Sequence, residues 1–374
     1  MWTPFGPSDV PPHNPNCLER VAQVLVLSQE EIESLVSVAD CLTVLEQAYL
    51  ALARGDALNM PRMDSLMELD ARRGTVYSFK TMGGVIQHGV QALRINSDVI
   101  HWPEMNGARR RVKIPSAAGR WVGLIYLFDP CTGTPLAIMP DGVIQHWRVG
   151  ATSGLAAKFL APPDAETVAL LGTGWQAQTQ LQAIVEVVRP RRVQVFSPTA
   201  QHREAFCRHM ERLVPADLIP VTSPDAAVSG AQIVMAATNA MAPVLQPAWI
   251  RPGMHFSTVK VQEVSEAFLA KSKVYLHTKR QAKADVVYAG NVPLYELEQG
   301  WWKKPEVRQY PDLEDLVAGR TVGRAREHDV TLFVNNVGMG LQFAAVGALV
   351  LERARQRGMG RELPDEWFTE SVHP

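Results

Sequence analysis

An apolar run from Thr167 to Leu171 leads into Gly172-Thr173-Gly174-Trp175-Gln176-Ala177. A helix-compatible segment, Gln178 to Val188, and a second strand candidate, Arg192 to Ser197, follow. This is the order that a dinucleotide-binding β-α-β unit requires. Gly172 permits the tight turn, Gly174 lets the backbone approach a pyrophosphate, and Ala177 lets the helix pack close to the strand. The helix start then offers unpaired N–H groups and a positive dipole end to the phosphates. Gly172, Thr173, Gly174, Gln176 and Ala177 are the residues expected there. The end of the second strand distinguishes NAD from NADP, because a carboxylate there would accept from the ribose 2′-hydroxyl. This chain has Ser197-Pro198-Thr199, with His202 and Arg203 nearby. No carboxylate stands there to repel a 2′-phosphate, and Ser197, Thr199 and Arg203 could bind one. The sequence therefore favours NADP over NAD.

Around this unit, strand and helix patterns alternate. Strand candidates are 167–172, 192–197, 218–222, 232–237, 255–259 and 273–277, which implies a parallel sheet with helices on both faces. Before it, residues 21–27 read as a strand. Ser28 with Glu31 forms a capping box that opens one long helix through about Arg54, near Gly55. Arg62 to Lys80 alternates and turns at Arg73-Gly74, as a hairpin does. Val90 to Ser97, Trp121 to Asp129 and Thr134 to Met139 are further strands, the last two joined by a turn at Asp129–Gly133. Arg148 to Ala161 is a helix of small residues that should join two domains and pack closely. Gly338 to Arg355 is a helix that returns to the first domain.

The expected fold is α/β: a Rossmann-type dinucleotide-binding domain plus a β-rich α+β domain for substrate binding and dimerisation. The boundaries read as a proline-rich arm at 1–20, the β-rich domain at 21–147 with 336–374, and the nucleotide domain at 148–335. At 374 residues two domains are expected. A net charge of −1 argues against nucleic acid or an anionic membrane as partner. The apolar stretch from Val330 to Leu351 is interrupted by Asn335, Asn336 and Gln342 and reads as a strand and a buried helix rather than a membrane span. Four scattered cysteines without a C-x-x-C make a structural metal unlikely and suit a reducing cytoplasm. The N-terminus lacks the pattern of a signal peptide.

Several segments together resemble the ornithine cyclodeaminase and mu-crystallin family of NAD(P)-binding proteins, over roughly residues 25–362. They are Met60-Pro61-Arg62, Tyr77-Ser78-Phe79-Lys80, the run from Asp129 to Ala137, and Arg148-Val149-Gly150-Ala151-Thr152-Ser153. Leu170 to Ala177, Ala236-Ala237-Thr238 with Pro243-Val244-Leu245, and Arg251 to His255 complete the set. The resemblance implies a homodimer built through the β-rich domain, an active site between the domains, and small α-amino, α-keto or α-imino acid substrates.

The resemblance also assigns residues. Arg62 matches the arginine that holds the substrate carboxylate, a task suited to a planar bidentate fork; taken alone it reads as a surface arginine. Lys80 matches the lysine beside the reacting carbon, where an ammonium can polarise a C=N group or deliver a proton; taken alone it reads as a solvent-facing lysine on a strand. Arg148 matches a second cation for the carboxylate, with an interdomain salt bridge as the plain alternative. Thr152 and Ser153 match positions near the cofactor or are helix-packing residues. Arg120 falls near another carboxylate contact. Thr238 and Asn239 follow the fourth strand and are expected near the nicotinamide ribose, and Val259 near the nicotinamide.

Two departures shape the functional expectation. Ornithine cyclodeaminases carry a catalytic aspartate after a glycine pair where this chain has Val259-Lys260-Val261-Gln262-Glu263. Gln262 cannot act as a base, and Glu263 should point elsewhere. Lys260 should narrow or charge the pocket. The second departure is Ile95 to Lys113, with Arg109-Arg110-Arg111 and Lys113. It reads as a solvated hairpin loop, or as a selector of a bulkier or more acidic substrate. His88, His101 and His146 are further candidate proton donors. The sequence therefore points to an NAD(P)H-dependent reductase of a small α-imino or α-keto acid. The alternatives are a cyclodeaminase-type lyase using Glu263 and a non-catalytic NADPH-binding protein.

Overall fold

The computed structural model describes residues 23–371 except 106–107, 117, 282–283 and 293–299. The proline-rich arm expected at 1–20 lies outside the described residues.

Two large sheets organise the chain. The first is mixed and ten-stranded. Its centre is an antiparallel run of β3 (Met63–Asp70), β4 (Thr75–Ile86), β5 (Gln91–His101), β9 (Val122–Phe128) and β10 (Pro135–Pro140). Gly74, at φ 59°, makes the hairpin turn between β3 and β4. Gly133, at φ 75°, closes the Asp129 turn, where Cys131 donates its backbone N–H to the Asp129 carboxylate. β4 and β5 alternate buried and half-buried positions along most of their length. The middle of the buried face is polar: Ser78 and Lys80 on β4, and Arg94, Asn96 and Asp98 on β5.

The second sheet is parallel and seven-stranded. It comprises β11 (Thr167–Leu171), β12 (Arg192–Phe196), β13 (Asp217–Pro220), β14 (Ile233–Ala236), β15 (His255–Thr258), β16 (Lys273–Leu276) and β18 (Thr331–Val334). Its order, β13-β12-β11-β14-β15-β18-β16, reverses direction at β11, the switch point at which Rossmann sheets bind dinucleotides. All six candidate strands are present. The late strand β18 inserts between the fifth and sixth rather than adding at the edge.

Three features differ from the sequence expectation. The long helix from Ser28 is two helices, α1 (Gln29–Leu35) and α2 (Val38–Arg54), bent by 81°. A second capping box, Ser37 with Asp40, restarts the helix. The helix of small residues, α3 (Gly142–Leu160), begins six residues earlier than expected and runs through position 148. Asp141 precedes it without capping it, because its carboxylate is taken by Arg94. Third, β17 (Asp285–Ala289), within the span assigned to the nucleotide domain, pairs with β3 in the other sheet.

α3 is the joint between the sheets. It packs on α4 (Trp175–Val188) so closely that a Cβ on Gly150 would lie 2.4 Å from the Thr179 carbonyl oxygen. The late helix Gly340–Gln356 crosses β4 and β5. Gly84 and Gly340 allow this crossing, since a Cβ on either would fall within 2.4 Å of backbone. Among the described residues, no single helix is long and apolar enough to cross a membrane.

Candidate active site

Lys80 is 5 % exposed and its Nζ donates to Asp98 Oδ2 at 2.7 Å. Asp98 also takes Lys113 Nζ at 3.0 Å. Lys80 faces Asn96 across β4–β5 and Asp64 across β3–β4. Burial pushes its pKa down to about 7, the positive charge of Arg111 pushes the same way, and Asp98 opposes both. Burial alone would raise the Asp98 pKa, but Lys80 and Lys113 outweigh it and hold the carboxyl below its usual range. Arg62, just before β3, forks onto Asp64 with two hydrogen bonds of 2.8 Å.

Arg148 is 4 % exposed, on α3. Its head bonds Gln342 Oε1 at 3.0 Å and Gln145 Oε1 at 2.5 Å, and its Nε has no partner. The guanidinium lies 5.3 Å from the Phe343 ring centre. Among the described residues no carboxylate forms an ion pair with it. Burial lowers its pKa to about 9, with the charges of Arg94 and Arg62 contributing. The structure thus brings Arg62, Lys80 and Arg148 to one place and adds Arg94, which the sequence reading missed. Arg94 is paired to Asp141 at 2.5 Å and also lies over Phe343, 5.5 Å from its ring centre. The signal that could have found Arg94 is the run Arg94-x-Asn96-x-Asp98, which puts three polar residues on the face that should be apolar.

The nucleotide side is built from the loops at the carboxyl ends of β11, β14 and β15. Gly172 sits at φ 111°, and a Cβ there would lie 2.3 Å from the Ala237 carbonyl oxygen. Gly174 caps α4 and borders open space, since a Cβ there would touch nothing within 4 Å. Gln176 Oε1 is buried without a partner, and Ala177 is fully buried at the helix start. This open, glycine-lined cradle at a helix N-terminus fits a pyrophosphate. Ser197 lies just past β12, and Arg203 reaches back to donate to its carbonyl at 3.1 Å.

Other candidates take structural roles. Thr152 is fully buried; its hydroxyl donates to the Arg148 carbonyl and accepts from Gln342. Ser153 faces Asn335. Both are packing groups of α3. Glu263 is fully buried and clamps two loops, accepting from Thr238 N and Oγ1, Val259 N and Lys260 N. Burial raises its pKa to about 7. It points into the loop interior, not into a pocket. Lys260 Nζ turns to the Ala240 carbonyl. Arg120 is exposed, two residues before β9. His146 stacks on Trp175 at 4.0 Å and is pushed by burial to a pKa of about 4, so it is neutral at pH 7 and joins α3 to the nucleotide loop. His88 stands in the turn between β4 and β5 at φ 57°.

The basic loop is not a freely solvated hairpin. Arg110 Nη1 donates to Asn239 Oδ1 at 3.1 Å, from the first sheet's loop to the nucleotide side. Asn239 therefore stands at the mouth between the two halves.

The family model described as "Ornithine cyclodeaminase/mu-crystallin family" matches residues 22–358. The chain belongs to this family. An alanine dehydrogenase of Archaeoglobus fulgidus is 24% identical over 347 residues, 91% of this chain and 98% of that protein. A Delta(1)-pyrroline-2-carboxylate reductase of Bacillus cereus is 29% identical over 247 residues, 64% of this chain and 74% of that protein. The solved structure of the Thermococcus litoralis Delta(1)-pyrroline-2-carboxylate reductase, in complex with NADH and L-proline, superposes with a TM-score of 0.73 at 27% identity, covering 91% of this chain and 100% of that one. The glycine-lined turn at the start of α4 and the buried cations Lys80, Arg94 and Arg148 both lie within the matched residues.

Proposed function

We propose that this family member is an NAD(P)H-dependent reductase of a small α-imino or α-keto acid, working in reverse as an amino-acid dehydrogenase. The observation that carries the reading is Arg148, a buried guanidinium with no carboxylate partner among the described residues, linked through Arg62 and Asp64 to a lysine whose pKa is near neutrality. Arg148 receives the substrate carboxylate, with Arg62 beside it. When bound, the dinucleotide supplies the hydride that reduces the C=N carbon. As that carbon is reduced, the nitrogen takes the π electron pair and a proton from Lys80 Nζ; solvent returns the proton to Lys80. Asp98 fixes the Nζ atom, and the Arg110–Asn239 contact ties the basic loop to the nucleotide side.

A cyclodeaminase-type lyase would need an acid for a distal amine. Gln262 is not one, and all four bonds that Glu263 accepts are internal. The test is NADPH and NADH oxidation against α-keto acids with ammonia or methylamine and against cyclic imino acids, with L-ornithine and NAD as the lyase arm. Oxidation with one imine class supports the reductase; ammonia from ornithine without net NADH overturns it.

NADP is the proposed cofactor, on Ser197, Thr199 and Arg203. Arg203→Ala is expected to weaken NADPH binding about tenfold, the worth of one charge-assisted hydrogen bond, and to leave NADH within about twofold. Equal effects on both in fluorescence titration would remove Arg203 from the 2′-phosphate site.

A homodimer is proposed through the first sheet, whose strands β3 and β17 expose Met63, Met67, Leu69 and Val287 on one face at one end. Sedimentation equilibrium should give twice the chain mass; a monomer at micromolar concentration would refute it.

A further inference from the structure

The cations of the site do not balance against one ligand carboxylate. Arg62 has Asp64, and Arg94 has Asp141. Lys80 and Lys113 share Asp98. Arg110 bonds the Asn239 amide, and two more guanidinium groups have no carboxylate partner among the described residues. One is Arg148. The other is Arg111, half-buried on the short link between β7 (Ala108–Arg109) and β8 (Val112–Ile114).

The placement of Arg111 is fixed from both sides. Its neighbour Arg110 is tied to Asn239 across the mouth and, through its N–H, to the Pro103 carbonyl at 2.9 Å. On the other side, β8 pairs with β5, setting Lys113 opposite Ile100 and its ammonium on Asp98. Arg111 is thereby held close enough to Lys80 for the two positive charges to repel. Lys80, Lys113 and Arg111 thus set three positive charges against the single carboxylate of Asp98, an excess that is unfavourable until a second anion arrives. The α-carboxylate placed at Arg148 does not answer the charge at the loop.

We propose that the substrate is a dicarboxylic imino acid, with its α-carboxylate on Arg148 and its side-chain carboxylate on Arg111 and Lys113. This rests on the imino-acid reading above and narrows it to a substrate class. The basic loop is then the specificity element: it is anchored to the nucleotide side through Arg110 and presents the second anion site through Arg111.

The experiment pairs turnover with binding. NADPH-dependent kcat/KM is measured with ammonia and oxaloacetate or 2-oxoglutarate, against pyruvate and 2-oxobutyrate. Calorimetry measures L-aspartate and L-glutamate against L-alanine and L-norvaline on the NADP+-loaded protein. Wild type, Arg111→Gln and Arg111→Lys are compared. The wild type should prefer a dicarboxylate in both arms. Arg111→Gln should lose about 10- to 100-fold on the dicarboxylate, the worth of a charge-assisted hydrogen bond. Measured near pH 6 (about one unit below the Lys80 pKa), where Lys80 keeps its proton with or without the Arg111 charge, it should leave the monocarboxylates and NADPH binding within about twofold to threefold, and Arg111→Lys should recover part of the loss. No dicarboxylate preference in the wild type overturns the proposal. So does an equal loss on monocarboxylates, which would place Arg111 on the α-carboxylate, or weakened NADPH binding, which would place it on the cofactor. Dicarboxylate-selective binding without turnover would overturn the reductase reading alone; turnover without selectivity would overturn this inference alone.

Discussion

Replacing Lys80 with methionine should lower kcat by about 10²- to 10⁴-fold, the usual worth of a positioned proton donor, while NADPH affinity changes by less than about twofold. The substitution keeps the length and apolar character of the stem and removes the ammonium. Lys80 is buried between Asp98 and Asn96 on the first sheet and touches none of the loops that form the dinucleotide cradle, so cofactor binding should survive. The pH profile is the sharper readout. Burial, aided by the charge of Arg111, brings Lys80 to a pKa of about 7. Its proton is therefore present below that value and lost above it. In the reductive direction, kcat/KM of the wild type should fall as pH rises through about 7, and the residual activity of the variant should lack this limb. A variant that keeps both turnover within tenfold and the alkaline limb would remove Lys80 from the chemistry and leave it as a charge partner of Asp98.

Arg148→Met should do two things in opposite directions. It should lower kcat/KM by about 10²- to 10³-fold, the loss of a charge-assisted carboxylate contact inside a desolvated site, and it should raise Tm of the ligand-free protein by about 2 °C. The second effect follows because the guanidinium is buried without an anion, at a standing cost to the folded state. Methionine can lie along the Phe343 face that the guanidinium occupies, while Gln342 keeps its bond to Thr152. The pH dependence has a defined sign. The folded pKa of Arg148 is lowered to about 9, below its unfolded value, so the penalty is full below pH 9 and fades as pH rises above it. The Tm gap between variant and wild type should therefore narrow above pH 9. An unchanged or lower Tm together with intact substrate binding would mean that Arg148 is a structural tie rather than the carboxylate site. Such a trade of stability for binding is common where a site holds a charge ready for its ligand.

The nucleotide half was legible from the chain because its determinants are local. A turn at φ 111° needs Gly172, a helix start needs an open Gly174, and the β-α-β order follows from apolar periodicity within some thirty residues. The hairpin at Gly74 and the capping box at Ser28 are likewise set by neighbours three or four positions apart. Even so, Ser37 with Asp40 carries the same capping signal, and only the fold shows that the chain obeys it and breaks the helix there.

The sequence by itself determined the glycine turn into α4 and singled out Arg62, Lys80 and Arg148 but not Arg94. Tertiary structure alone decided which cations keep an anion. Asp64 is two positions from Arg62, but Asp98 is 18 from Lys80 and Asp141 is 47 from Arg94. Those pairs depend on strand register and on where α3 begins. The same long-range geometry turns Glu263 inward, buries Thr152, and inserts β18 between β15 and β16. Backbone conformation is set by residues adjacent in the chain. Charge compensation is set by residues adjacent in space, and here it leaves Arg148 without a carboxylate partner among the described residues.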